Sequence, residues 1–227
     1  MNCPELFKDK KLTVIVGAYG SGKSEISVNA AFALRQAFPS PAKILLADMD
    51  IVNPFYRSAD AGSRLEEAGV KVVAPAYARS NVDSPILTGE MYIVFDDPEY
   101  RGVFDIGGED MGAVVLGSLK SRMETIPYQV LMAVNTLRPF TSDPQQIAEM
   151  TVELSRASGL PIAGYINNTN LLHETSPEMI EEGEAKIIEA GKLTGVPLVL
   201  TTLLGHLEGL KSQCEIFEMD KRIFYDY

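Results

Sequence analysis

The most specific chemistry in the chain sits in eight consecutive residues near its start: Gly17-Ala18-Tyr19-Gly20-Ser21-Gly22-Lys23-Ser24. Four residues separate the outer glycines, and Lys-Ser follows the second at once. A loop of this spacing can curl until successive backbone N–H groups point inward, which makes a cradle for phosphate oxygens. Glycine at 17, 20 and 22 permits the curl and a close approach of the ligand. A helix opening at the end of the loop adds the partial positive charge of its amino terminus. The Lys23 ammonium then reaches the β- and γ-phosphates of a nucleotide, and the Ser24 hydroxyl is a ligand for Mg2+. All of Gly17, Ala18, Tyr19, Gly20, Ser21, Gly22, Lys23 and Ser24 are expected to line the nucleotide, with Lys23 also acting in catalysis.

Carboxylates at three further positions can complete the site. The run Leu46-Ala47-Asp48-Met49-Asp50 closes a second apolar stretch, and residues two apart in an extended chain face the same way. One of the pair suits a water on Mg2+, and the other suits orientation of the attacking water. Asp48 is assigned to the metal and to catalysis, and Asp50 to catalysis. The competing reading is an acidic loop that caps the turn at Asn53-Pro54. Val103-Phe104-Asp105-Ile106-Gly107-Gly108 is an apolar run ending in Asp and two glycines. Asp105 is expected to act on Mg2+ directly or through water. An amide of Gly107 or Gly108 is expected to bond the γ-phosphate, a contact that hydrolysis would release. Glu109 and Asp110 read as caps of the next helix, and Asp96-Asp97 before Pro98 as a polar turn.

A late strand ends in amides, Asn167-Asn168-Thr169-Asn170. Asparagine both donates and accepts, so Asn167 and Asn168 are candidates for the edge of an adenine. Turn chemistry is the alternative, because Asn tolerates left-handed backbone. The guanine signature Asn-Lys-x-Asp is absent, which favours ATP or ADP. Arg57, Arg79, Arg101 and Arg138 are the arginines available to a phosphoryl acceptor, with Arg57 and Arg138 favoured because they follow strand ends. The two histidines, His173 and His206, read as loop residues, and two cysteines far apart, Cys3 and Cys214, exclude a disulfide scaffold and a metal cluster built on cysteine.

These residues need a frame to bring them together. Strands are expected at 12–16, 43–47, 70–74, 102–106, 128–135, 160–167 and 196–201, with helices at 22–38, 57–68, 144–157 and 177–193. The segment 86–96 is ambiguous, with helix favoured. Asp143-Pro144 and Ser176-Pro177 are entry signals for the last two helices. Strands alternating with helices mean βαβ units, so the fold class is α/β: three layers, with a mainly parallel sheet flanked by helices. The ligand belongs at the carboxyl ends of the strands, where every motif above falls. The 227 residues fit a single nucleotide-binding domain over 1–227. A net charge of -11 argues against nucleic-acid and anionic-membrane partners. No apolar run is long enough to span a bilayer and no signal pattern opens the chain, so the cytoplasm is the expected location.

Taken together, the loop at 17–24, Asp48-Met49-Asp50-Ile51 and Asp105-Ile106-Gly107-Gly108 resemble the MinD/ParA group. This is the CobQ/CobB/MinD/ParA nucleotide-binding family of the SIMIBI class, which also contains the nitrogenase iron protein. The resemblance covers roughly residues 11–202. It implies that Asp48 and Asp50 belong to a switch touching the Mg2+ water and the hydrolytic water, and that the late-strand Asn meets adenine. The phrases at 50–57 and 167–171 look like a branch of stand-alone ATP-binding proteins of anaerobic bacteria, linked with operons for ferredoxin-dependent 2-oxoacid oxidoreductases. Ala18 stands where the family carries a signature lysine that crosses an ATP-bound dimer, so a homodimer stays open. The iron protein's cluster cysteines are missing. The implied function is a slow, Mg-dependent ATPase acting as a switch or maturation factor for a protein partner. A small-molecule kinase or ligase of the dethiobiotin-synthetase type and a nucleotide-sensing module are the alternatives. The carboxyl-terminal segment is expected to pack on the domain or on a partner.

Overall fold

Short β-branched runs alternate with longer amphipathic ones, and the elements follow that alternation. The computed structural model describes residues 2–49, 62–73, 89–107 and 110–223. Helix α1 (Glu5–Asp9) leads into strand β1 (Leu12–Val16), helix α2 (Lys23–Ala37) and strand β2 (Lys43–Met49). Then come α3 (Gly62–Glu67), β3 (Val70–Val73), a 3-10 turn at Gly89–Tyr92 running into α4 (Ile93–Asp96), and β4 (Tyr100–Ile106). The second half holds α5 (Asp110–Ser118), α6 (Lys120–Met123), β5 (Tyr128–Val134), α7 (Pro144–Ser158), β6 (Gly164–Asn167), α8 (Pro177–Thr194), β7 (Leu198–Leu204) and β8 (Glu215–Met219).

The strands form one eight-stranded sheet in the order β3-β2-β4-β1-β5-β6-β7-β8. Every pairing is parallel. Apolar side chains alternate between two cores. Val14, Leu45, Phe104 and Val130 join α4 to α8 on one face, through Val94, Leu116, Met123, Leu154 and Ile187. Ile15, Leu46, Val103 and Leu131 join α1, α2 and α3 on the other, through Phe7, Ile26, Leu34 and Leu65. The result is a three-layer α/β fold, as the alternation requires. Among the described residues no helix is long and apolar enough to cross a membrane.

The entry signals read from the sequence act as expected. Asp143 accepts from the Gln146 N–H at 3.0 Å and Ser176 from the Met179 N–H at 3.4 Å, each followed by proline at the first helical position. A cap of this kind stabilises a helix by about 1 kcal/mol. Several boundaries differ. Strand β2 continues two residues past Ala47, which places Asp48 within the sheet. Strand β6 begins only at Gly164, because Pro161 has no N–H for a ladder. Strand β7 runs on to Leu204. The edge strand β8 was not expected at all: its two glutamates break the apolar run, as suits an edge facing solvent. The expected helix at 57–68 and the segment at 86–96 are described only from 62 and 89 onward.

Candidate functional site

Strand order reverses about β1. The chain leaves it for β2 and β3 on one side, returns to β4 beside it, and then crosses to β5 on the other. That reversal opens a crevice at the carboxyl end of β1, the usual ligand position in such sheets. Residues 17–22 emerge there and turn into α2, whose first helical bond runs from the Ile26 N–H to the Gly22 carbonyl at 3.1 Å.

Two glycines of the loop are demanded by geometry. Gly22 has φ 84° and Gly17 φ 147°, both in the region L side chains avoid. A Cβ on Gly22 would strike the Asn168 amide nitrogen, and one on Gly17 would strike the Ala133 carbonyl. Within the loop the Ser21 N–H donates to the Ala18 carbonyl at 3.1 Å. Lys23 is buried and its Nζ donates to that same carbonyl at 3.2 Å, so the ammonium lies folded over the loop. Ala18 is buried, Ser24 is half-buried and Tyr19 faces solvent. Ser21 is fully buried, and among the described residues its hydroxyl has no hydrogen-bond partner. Such a group is resolved by a bound ligand or an ordered water.

The two described carboxylates meet next to the loop. Asp48 on β2 and Asp105 on β4 are register partners, and Asp105 is in turn level with Ile15 of β1. Both are buried. Side-chain alternation puts them on the face of Ile15, Leu46 and Val103, the face that α2 covers. Two buried carboxylates side by side repel each other, and a positive charge between them lowers that energy. The donor set is hard oxygen, which fits Mg2+. Among the described residues no group of three or more His, Cys, Asp or Glu side chains could hold a metal. Mg2+ is commonly held by one or two carboxylates with the rest of its shell from water and substrate phosphate, so the pair fits that cation without a full protein cage. Gly107 follows at the end of β4 and is buried, and the Gly107 carbonyl lies where a Cβ on Gly112 of α5 would fall. Helix α5 therefore packs directly on Gly107. Asp50 and Gly108 lie outside the described residues, as do Arg57 and Arg79.

On the other side of β1 the amides take a different place from the one expected. Asn167 is fully buried; its Nδ2 donates to the Ile180 carbonyl at 3.1 Å and its Oδ1 accepts from the Thr169 N–H at 3.1 Å. Asn168 is also buried; its Nδ2 donates to the Ser21 carbonyl at 2.6 Å and its Oδ1 accepts from the Thr202 hydroxyl. Both amides therefore bond within the protein, and neither presents an open edge to a base. The reason is that β6 ends beside the loop and not beyond it, so the amides at its end bond to neighbouring backbone and to the Thr202 hydroxyl. Thr202 belongs to the same brace and was missed. Its signal was a hydroxyl just past an apolar run taken to end at Thr201.

Arg101 and Arg138 part company. Arg101 lies at the opposite, amino end of β4, donates to the Lys8 and Lys10 carbonyls at 2.9 and 3.0 Å, and stacks on Phe38. It has no place near the loop. Arg138, just past β5, does: its Nε donates to the Gly20 carbonyl at 3.2 Å. The carboxyl-terminal segment packs on the domain. Glu25, in the first turn of α2, accepts from the Arg222 N–H at 2.6 Å, and Asn29 bonds Asp220 through both backbone groups at 3.0 Å. Burial pushes the Glu25 carboxyl above its ordinary pKa, against the pull of the Arg222 N–H and Lys221.

No protein-family model and no curated protein matches this chain. Solved structures share its fold. The signal recognition particle 54 kDa protein of Aeropyrum pernix, in complex with GDP, is 18% identical at TM-score 0.50, over 82% of this chain and 40% of that one. The cell division protein FtsY of Thermotoga maritima is 15% identical at TM-score 0.52, over 88% and 62%. The chain thus spans less than two thirds of either structure. The hydrogenase maturation factor HypB of Archaeoglobus fulgidus is 16% identical over 95% and 85%, at TM-score 0.43, too low for an argument from topology. The first two likenesses establish a P-loop NTPase fold. Membership of the MinD/ParA group finds no match among them.

Proposed function

We propose that this chain is a nucleotide-dependent switch that binds ATP with Mg2+, hydrolyses it slowly and acts on a protein partner. One observation carries the reading: the Asp48–Asp105 register pair shares a face with α2, whose first turn supplies Lys23 and Ser24. Lys23 and the loop amides would hold the β- and γ-phosphates, and Ser24, Asp48 and Asp105 the cation with its waters. The ion would neutralise phosphate charge. Asp50 and the Gly107-Gly108 turn keep the roles of orienting water and sensing the γ-phosphate. With α5 packed on Gly107, a change at that turn would be carried into a helix. A partner that reads α5 would then distinguish the two nucleotide states.

ATP is preferred to GTP on chemical grounds. Guanine offers N–H donors that a carboxylate reads, and no Asp or Glu occurs between Leu160 and His173. The GDP bound to the Aeropyrum pernix structure favours the guanine reading. Calorimetry with MgATP, MgADP and MgGTP separates them. ATP is expected to bind at least tenfold tighter than GTP, and Lys23→Ala to abolish binding of both. Equal affinity or a GTP preference would remove the adenine assignment, and unchanged binding in Lys23→Ala would remove the site. Light scattering with a non-hydrolysable MgATP analogue against MgADP tests the homodimer: a mass step with the triphosphate alone supports it.

A further inference from the structure

A second cation reaches the phosphate loop from outside it. Arg138 sits in a turn held by several hydrogen bonds. The Arg138 N–H donates to the Asn135 carbonyl at 3.1 Å, and the Thr141 N–H to the Arg138 carbonyl at 3.1 Å. The Thr141 hydroxyl donates to the Asn135 carbonyl at 2.8 Å, and Asn135 Oδ1 accepts from the Leu137 N–H at 3.0 Å. The Thr136 N–H donates to the Thr169 hydroxyl at 3.2 Å, which ties the turn to the end of β6. Asn135, Thr136 and Thr141 are buried, whereas Arg138 is exposed. A buried, hydrogen-bonded base thus presents one charged side chain to the loop.

The guanidinium uses Nε on the Gly20 carbonyl, and its side chain lies 3.2–3.7 Å from where a Cβ on Gly20 would be. A neutral carbonyl is a weak partner for a guanidinium. A phosphate oxygen is a stronger one, through charge-assisted and often paired hydrogen bonds. Lys23 shows which phosphate is meant: a loop lysine of this kind serves the β/γ end, and its Nζ rests on Ala18, two residues from Gly20.

We propose that Arg138 is the specificity residue for the terminal phosphate, exchanging the Gly20 carbonyl for γ-phosphate oxygens when a nucleoside triphosphate binds. The inference rests on the nucleotide reading above. A diphosphate leaves Arg138 on Gly20, so it separates the two nucleotide states by direct contact. The test is calorimetry of a non-hydrolysable MgATP analogue and of MgADP on the full chain, for wild type, Arg138→Gln and Arg138→Lys. Arg138→Gln is expected to weaken the triphosphate analogue by about 10–100-fold, the range for loss of a charge-assisted hydrogen bond. MgADP should stay within about twofold, as a contact reserved for the third phosphate requires. Arg138→Lys should recover part of the difference, because it restores charge without the planar fork. An equal loss for both nucleotides, or no loss, overturns the proposal while leaving nucleotide binding in place. A wild type that binds neither nucleotide overturns the functional reading itself and this inference with it. Arg138 is exposed and its turn is built without its side chain, so equal melting temperatures for all three proteins are expected. A lower melting temperature with an unchanged triphosphate-to-diphosphate ratio also counts against it.

Discussion

The two flanks of β1 solve opposite problems. On the side of β4 and β2, the carboxyl residues Asp105 and Asp48 stand level in the sheet and are buried. On the side of β5, β6 and β7, the polar residues are neutral and close on one another: Ser21 to Asn168, Asn168 to Thr202, Asn167 to Ile180 and Thr169. A closed set of buried hydrogen bonds rigidifies and is costly to break. A pair of buried carboxylates is costly to keep unless a cation joins it. One flank is a closed set of neutral hydrogen bonds, and the other carries the carboxylates. The loop between them inherits its position from the first and its chemistry from the second.

Substitutions on the two flanks should separate these roles. The largest effect is expected from Asp105→Asn, which should lower Mg-dependent turnover by about 100-fold or more, as loss of a group stabilising phosphoryl-transfer charge does. Its melting temperature should stay close to wild type, because Asn keeps the size and shape of Asp. A large fall in stability with turnover intact would reverse the assignment of this flank. Asn168→Ala should do the opposite, lowering stability by about 1–3 kcal/mol because the Ser21 carbonyl loses the amide donor and the Thr202 hydroxyl keeps only the Asn167 carbonyl. Urea unfolding measures it, and Thr202→Val should be non-additive with it, since both act through one chain of bonds. Additive losses would mean that the brace is not a unit.

Removing Mg2+ with EDTA sharpens the comparison further. Stabilisation by ATP should fall by about 1–3 kcal/mol in the wild type, following mass action on a weaker complex. In Asp105→Asn the same treatment should change little, and an equal response in both proteins would take the cation away from Asp105. The smallest effect belongs to Glu25, a buried carboxyl held by backbone N–H groups of the carboxyl-terminal segment. Its folded pKa is raised, so the folded chain binds the proton before an unfolded one does. Its contribution to stability should therefore grow as pH falls from 7 toward 4.5 and shrink as pH rises. The difference in melting temperature between Glu25→Gln and wild type over that range measures it, and a slope of the other sign would show that the Arg222 N–H outweighs burial.

How much could be read beforehand differs between the flanks for the same reason. Gly17 to Ser24, Asp48 and Asp105 announce themselves because their types are rare at such spacings and each ends an apolar run. The capping pairs Asp143-Pro144 and Ser176-Pro177 are local as well, and both helices start where those residues say. Amides are ambiguous, since Asn167 and Asn168 have the same composition whether they read a base or brace a loop. Only the register of β6 against β5, and the approach of Asn168 to Gly22, decides that. The edge strand β8 hid because its pattern answers to solvent on one side.

The sequence by itself determined the alternation of strands and helices, and with it a parallel sheet with its ligand end at the motifs, because hydropathy period and loop chemistry are local properties of the chain. The tertiary structure alone decided which strands are neighbours. That choice set Asp48 level with Asp105, pinned Asn168 under the phosphate loop and turned Arg138, of the two described candidate arginines, toward Gly20. Contacts across 57, 147 and 118 residues of chain follow from packing two faces of one sheet, and no local spacing encodes them.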